Sequence, residues 1–215
     1  MNISIVLSTF NGDEYIVEQL DTLRNQTRLA EEVLISDDAS TDDTVQIIED
    51  YIAKYKLDNW SIKKNKENQG WKNNFAMLLE EAKGDIVFLC DQDDIWHLDK
   101  IQKMSKIMEN NDKILLLASN YTPFYVGVKI KLDKSDLDNS EAVYQPNFLD
   151  NFFHIRRPGC VYAVNKKIIP YFLEIRSNED AHDALLWRLA SLLNGLYIYS
   201  YSTIDFRRHD SNATG

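Results

Sequence analysis

No stretch of this 215-residue chain approaches the roughly 18 consecutive apolar residues of a membrane-spanning helix. The amino terminus lacks the charged start and long apolar core of a secretion signal. Met1 to Val6 reads instead as a first strand, so a cytoplasmic protein is expected. Basic residues are in deficit: 34 Asp and Glu against 24 Lys and Arg give a formal charge of −10, which argues against nucleic acid as a partner. Cysteine is nearly absent. Cys90 and Cys160, far apart, support neither a disulfide framework nor a zinc site, and each is expected as a small buried apolar residue. No Gly-rich dinucleotide fingerprint follows the first strand, and no phosphate loop ends in Gly-Lys-Ser/Thr, so phosphate must be handled by other means.

What is present fits one sizeable core: 44% hydrophobic and 11% aromatic residues, at a length usual for a single α/β domain. Strand-like and helix-like patterns alternate through the first half, the signature of a mostly parallel central sheet flanked by helices. Ile3 to Thr9 reads as a strand. Asn11-Gly12-Asp13 supplies a turn and cap for a helix with Ile16, Leu20 and Leu23 on one face. A second strand ends at Asp37-Asp38, and Ser40-Thr41-Asp42-Asp43 reads as a variant capping box for a helix striped by Val45, Ile48, Ile52 and Tyr55.

Trp60 to Lys63 reads as a short strand and Asn68-Gln69-Gly70 as a turn. Phe75, Leu78, Leu79 and Ala82 form the inner face of a third helix. A helix from Leu98 to Asn110 and a buried strand from Lys113 to Ala118 follow. Between Tyr121 and Gln145 the pattern fails, which leaves an edge hairpin or a mobile loop open. Arg156 to Gly159 turns into a strand from Cys160 to Val164, and Ala181 to Leu193 reads as a helix.

The chemistry concentrates where strands end. The apolar run Ile86 to Cys90 leads straight into Asp91-Gln92-Asp93-Asp94, and three carboxylates there must face water or a bound cation. Asp37-Asp38 closes the second strand in the same way. Ligands of open parallel sheets sit outside the carboxyl ends of the strands, so Ser8-Thr9, Asp37-Asp38 and Asp91 to Asp94 are expected around one crevice. Metal held by aspartates is the natural substitute for a phosphate loop.

In order along the chain, Ile5 to Asn11, Ser36 to Asp42, Asn68-Gln69-Gly70 and Asp91-Gln92-Asp93-Asp94 resemble the successive motifs of glycosyltransferase family 2. The resemblance covers nearly the whole chain. It implies a GT-A type nucleotide-sugar-binding fold and an inverting, divalent-metal-dependent transferase. The implied partners are a nucleotide-diphosphate sugar donor and a saccharide or lipid-linked saccharide acceptor, and the implied cofactor is Mg²⁺ or Mn²⁺. It further implies that Ser8, Thr9 and Asp38 contact the base or ribose with Asp37 nearby, and that Asn68, Gly70 and Asn74 border the nucleotide pocket. Asp93 and Asp94 would hold the metal, with Asp91 as ribose ligand or support.

The resemblance implies Asp183 as the general base that takes a proton from the acceptor hydroxyl. His182 stands where the family usually has Glu, and would orient Asp183 or hold the acceptor. Phe206 to Asn212 is similar to a segment that closes over the diphosphate, with His209 as a further metal ligand and Arg207 or Arg208 pairing with phosphate. Asp91 to Trp96 and Arg157 to Cys160 resemble the rhamnosyltransferase-like members that build bacterial surface polysaccharide, which makes L-rhamnose from dTDP-rhamnose the leading donor. On this reading residues 1–120 form the donor half and 121–215 the acceptor and base half of a single domain. A UDP-hexose or UDP-N-acetylhexosamine transferase of the same fold, and a non-catalytic nucleotide-sugar-binding module, are the rivals.

Single residues carry bland alternatives. Trp71, Trp96 and Trp187 are core anchors or stacking platforms. His97 and His154 read as packing or surface residues. Lys63, Lys64 and Lys66 read as a solvated edge that would also suit peripheral contact with the inner face of the plasma membrane, where lipid-linked acceptors lie.

Overall fold

A computed structural model describes residues 1–127 and 139–209. The first half alternates as its periodicity requires: β1 (Ile3–Thr9), α1 (Ile16–Arg24), β2 (Glu32–Asp37), α2 (Thr44–Tyr55), β3 (Trp60–Lys64), α3 (Trp71–Glu81) and β4 (Ile86–Cys90). Then come β5 (Ile95–Trp96), α4 (Lys100–Glu109), β6 (Leu116–Tyr125), β7 (Val143–Tyr144) and α5 (Phe148–Phe153). The last elements are β8 (Tyr162–Asn165), α6 (Ile169–Ile175), α7 (His182–Leu192) and β9 (Leu196–Arg208). Among the described residues no helix is long and apolar enough to cross a membrane.

The strands join in the order β3-β2-β1-β4-β8-β6-β9-β5, with β7 added on β9. β3, β2, β1 and β4 run parallel, whereas β8 is antiparallel to both β4 and β6. The sheet is therefore a mixed one flanked by helices. β4 is buried at every position because both faces are covered, which explains an unbroken apolar run rather than an alternating one. Ile16, Leu20 and Leu23 of α1, and Phe75, Leu78 and Leu79 of α3, pack into the same core.

Several local expectations give way to tertiary demands. Asp13 does not hold the N-cap of α1, and in the Ser40 to Asp43 box it is Asp42 rather than Ser40 whose side chain takes a helix-start donor, Thr44 N at 3.1 Å. Tyr15 and Asp43 hold the N-cap positions without a side-chain bond, while Ser40 Oγ bonds Asp37 and Thr44 Oγ1 bonds Asp42. The strand expected to stop at Ala118 continues as β6 to Tyr125, because β9 supplies a parallel partner along it. Residues 128–138, with Lys129, Lys131 and Lys134, lie outside the described residues, as do Asp210, Ser211 and Asn212.

Trp187 anchors the second half. Its side chain is fully buried, its Nε1 donates to the Asn151 carbonyl at 2.6 Å, and its ring lies 6.0 Å from that of Tyr162. Trp187→Ala is expected to cost about 3–5 kcal/mol of stability, read as a lower midpoint in urea unfolding. Trp96 is likewise core, 2% exposed.

Candidate active site

The chain leaves β1 for β2 and β3 on one side, then returns to β4 on the other, so the strand order reverses between β1 and β4. That switch point is where a parallel sheet opens a crevice at its carboxyl ends. Here it holds a cleft of about 370 Å³. Its walls bring together Ser8 and Thr9 after β1, Asp38 after β2, Asn68 and Gly70 before α3, Asp91 and Asp93 after β4, His182 and Asp183 at the start of α7, and Arg208 at the end of β9. Residues separated by up to 200 positions are thus collected by strand ends and one helix start.

Each wall has a local cause. Thr9 pairs with Asp37 in the β1–β2 register, and the Asp37 carboxylate takes Thr9 Oγ1 at 3.0 Å, Ser40 N at 2.8 Å and Ser40 Oγ at 2.5 Å. Those bonds hold Ala39 at a left-handed φ of 66°, which L-residues otherwise avoid, and so aim the loop. Asp37 is wholly buried and does not line the cleft. Asp38 does, with Oδ1 accepting from Gln69 N at 2.8 Å and Asn65 Nδ2 at 3.0 Å. Gly70, at φ 78°, turns the chain into α3, and its N–H is taken by Asn68 Oδ1 at 3.0 Å.

Asn74, expected at the pocket border, sits behind the wall. It is fully buried, and its Nδ2 donates to Ser8 Oγ and the Ser36 carbonyl, both at 2.8 Å, so it fixes Ser8. Gln92, between the aspartates, is a positioning residue that sequence reasoning passed over. Its amide clips the Phe10 backbone at both ends, accepting from N at 2.8 Å and donating to O at 3.0 Å. A polar side chain bonding a distant backbone leaves no periodic signal.

The three acids after β4 separate by depth. Asp91 and Asp93 face the cleft, whereas Asp94 is 1% exposed beneath it. Asp94 Oδ1 accepts from Arg207 N at 3.3 Å, and its Oδ2 has no hydrogen-bond partner among the described residues. Burial, then the charges of Asp93 and Asp183, push Asp91 up to about 7. Asp94 is pushed well above the usual carboxylate range by burial and then by Asp91 and Asp93. Lys100 lies fully buried close by, lowered to about 8 by burial against smaller upward pulls from Cys160, Cys90, Asp94 and Asp91. Asp94, expected to hold a metal beside Asp93, is enclosed by the apolar floor and the β9 backbone, below Asp91 and Asp93.

The carboxyl end of β9 is clamped over this floor. Arg207 is 7% exposed, with Nε donating to the Asp93 carbonyl at 2.7 Å, an ion pair to Glu18, and its guanidinium 4.5 Å from the Tyr15 ring and 4.7 Å from that of Phe124. That commitment takes Arg207 out of the cleft. Arg208 is the one of the pair that lines it, 5.5 Å from the Phe206 ring. His209 Nε2 bonds Asp93 Oδ2 at 2.7 Å, and its ring lies 5.0 Å from Tyr15.

His182 is 4% exposed and wedged among rings, stacked on Phe75 at 4.1 Å and edge-on to Trp71 at 5.4 Å. A Cβ on Gly159 would meet His182 Nε2 at 3.0 Å and the Asp183 Cβ at 3.1 Å, so the absence of a side chain there lets α7 approach. Burial lowers His182 to about 4, against a smaller upward pull from Asp183. The unfolded imidazole takes its proton near 6.5 and the folded one only near 4, so stability falls as pH drops from 6.5 toward 4. His182→Phe is expected to remove about 3 kcal/mol of that loss, measured as a flatter slope of unfolding free energy against pH.

A hard divalent cation such as Mg²⁺ or Mn²⁺ asks for charged oxygen ligands. One oxygen each of Asp91 and Asp94 and the Cys160 sulfur lie within 4.8 Å of one another, but burial raises the Cys160 thiol well above its usual range, and a neutral thiol is no ligand for such an ion. Asp91 and Asp93, with oxygens on the cleft wall and His209 against Asp93, do fit one.

A carboxylate-lined cleft at the switch point of an α/β sheet, crossed by a helix-start Asp and an Arg, defines a nucleotide-sugar-dependent transferase fold of the GT-A type. The model of glycosyl transferase family 2 matches residues 4–166, and the chain belongs to that family. The dTDP-rhamnosyl transferase RfbG of Shigella flexneri is 30% identical, across 97% of this chain and 73% of its own length. An uncharacterized glycosyltransferase of Haemophilus influenzae is 31% identical across 99% of this chain and 67% of its own. Among solved structures, S. aureus TarS 1-349 in complex with UDP-GlcNAc aligns at a TM-score of 0.79 with 22% identity, over 99% of this chain and 60% of that one. The chain thus spans less than two thirds of that solved relative.

Proposed function

We propose that this chain transfers L-rhamnose from dTDP-L-rhamnose, with inversion, to a saccharide or lipid-linked saccharide in bacterial surface-polysaccharide synthesis. The similarity to RfbG along nearly the whole chain supports the donor. The observation that carries the mechanism is the opposition of Asp183 to the aspartates across one cleft, close enough that its charge raises Asp91. In this reading Ser8, Thr9 and Asp38 receive the nucleoside, Asn68 and Gly70 border it, and Asp37 and Asn74 hold those walls in place. Asp91 and Asp93 hold Mg²⁺ or Mn²⁺, with His209 beside them, and Arg208 pairs with the diphosphate.

The acceptor hydroxyl gives its proton to the Asp183 carboxylate as its oxygen bonds to the anomeric carbon. The bond from that carbon to the diphosphate breaks on the opposite face, and nucleoside diphosphate leaves. A bound divalent cation offsets the charge gathering on that leaving group. Neutral His182 holds the acceptor hydroxyl or steadies Asp183.

A screen of thermal shift and nucleoside-diphosphate release tests this, using dTDP-L-rhamnose, UDP-glucose, UDP-galactose, UDP-GlcNAc and GDP-mannose with Mn²⁺ or EDTA. Metal-dependent stabilisation and release with dTDP-L-rhamnose is expected. Preference for UDP-GlcNAc, the ligand of the TarS complex, would move the chain to the hexosamine transferases. Binding without release in the presence of acceptor saccharides would make it a binding module.

A further inference from the structure

The floor of the cleft carries a cation of its own. Lys100, first residue of α4, is completely buried. Its Nζ donates to the Cys160 carbonyl at 2.6 Å and lies 3.6 Å from the centroid of the Trp96 ring. Cys160 is also the residue whose sulfur lies within 4.8 Å of carboxylate oxygens of Asp91 and Asp94. Cys160 thus stands between the buried ammonium and the two acids, Asp94 beneath the cleft and Asp91 on its wall, and each charge acts on the others electrostatically without a direct ion pair among the described residues. Taking a lysine out of water is strongly unfavourable unless opposite charge lies near, and the same holds for Asp94, whose Oδ2 has no hydrogen-bond partner among the described residues. The requirement that the acids find a cation is met from inside the protein before any ligand arrives.

We infer that Lys100 is the resident counter-cation of the cleft floor: its charge offsets Asp91 and Asp94 in the ligand-free protein and weakens the pull on a free divalent ion, so that the ion is recruited together with the donor diphosphate. Lys100 touches no substrate and is a positioning residue. Its first role stands on the buried cluster alone, and its second rests on the cation site proposed above. A positive charge fixed beneath Asp91 opposes a second positive charge above it, whereas the diphosphate adds the negative charge that tips the balance.

Two measurements test this. In EDTA and without donor, thermal unfolding is followed for Lys100→Met, Asp94→Asn and the double variant. Lys100→Met is expected to lower Tm sharply by itself and much less in the Asp94→Asn background, the mark of a coupled charge pair. Additive losses overturn the pairing. Should Lys100→Met alone fail to fold while the double variant folds, the coupling is shown in its strongest form. Failure of both overturns it.

The second measurement is a Mn²⁺ titration without donor, read by Tm. Lys100→Met, or the double variant if only that folds, is expected to bind Mn²⁺ about tenfold more tightly than its Lys100-containing counterpart, with Lys100→Arg restoring the weaker binding. Equal affinities overturn the inferred control of recruitment. A wild-type protein that ignores Mn²⁺ even with dTDP-L-rhamnose overturns the cation site itself, and the EDTA series still decides the charge pair.

Discussion

Asp183→Asn is expected to lower kcat for sugar transfer by about 10²- to 10⁴-fold, the usual contribution of a positioned general base. Asn keeps the size of the side chain and its hydrogen bond from Ala184 N, which Asp183 Oδ1 accepts at 2.7 Å, so α7 should start as before. It cannot take a proton. Donor-dependent stabilisation by dTDP-L-rhamnose should therefore remain near the wild-type value while release of nucleoside diphosphate collapses. Two outcomes sink the assignment: turnover unchanged in the variant, or a loss of donor binding as large as the loss of rate. The second would make Asp183 a donor ligand.

The sequence made the donor half legible because its elements obey simple periods. β1, β2 and β4 are short apolar runs ending in polar residues, and α1 and α3 carry clean 3.6-residue stripes. β9 escaped because it buries Ser200, Ser202 and Thr203 among its apolar residues. Hydroxyl pairs make that burial tolerable, Ser119 Oγ to Thr203 Oγ1 at 2.6 Å and Thr122 Oγ1 to Ser202 Oγ at 2.7 Å, and register shifts opposite Asn120 break the alternation. The site was legible by residue type and less so by depth. Asp37 and Asp38 are neighbours in sequence, as are Arg207 and Arg208, yet one of each pair faces inward. Which one does so is decided by partners such as Thr9, Ser40 and Glu18 that only the tertiary structure supplies. Lys100 likewise reads as one more charged residue at a helix start until the floor closes around it.

The division of the acids by depth makes a second large effect testable. Asp93→Asn is expected to weaken Mn²⁺-dependent binding of dTDP-L-rhamnose by about 10²-fold or more, because it removes a charged oxygen from the cleft wall where cation and diphosphate would meet. It also uncouples His209, whose Nε2 bonds Asp93 Oδ2 at 2.7 Å, so both side chains beside the proposed cation change together. Asp94→Asn should keep most of the Mn²⁺ response, since Asp94 lies under the cleft with Oδ1 tied to the Arg207 backbone. Isothermal titration of donor at fixed Mn²⁺ distinguishes the two variants directly. If Asp94→Asn abolishes the response and Asp93→Asn spares it, the cation belongs lower, among Asp91, Asp94 and Cys160, and Lys100 would have to move aside to admit it. If Asp93→Asn alone abolishes it, the surface pair Asp91 and Asp93 is the binding edge, and the buried lysine explains why the floor needs no metal of its own.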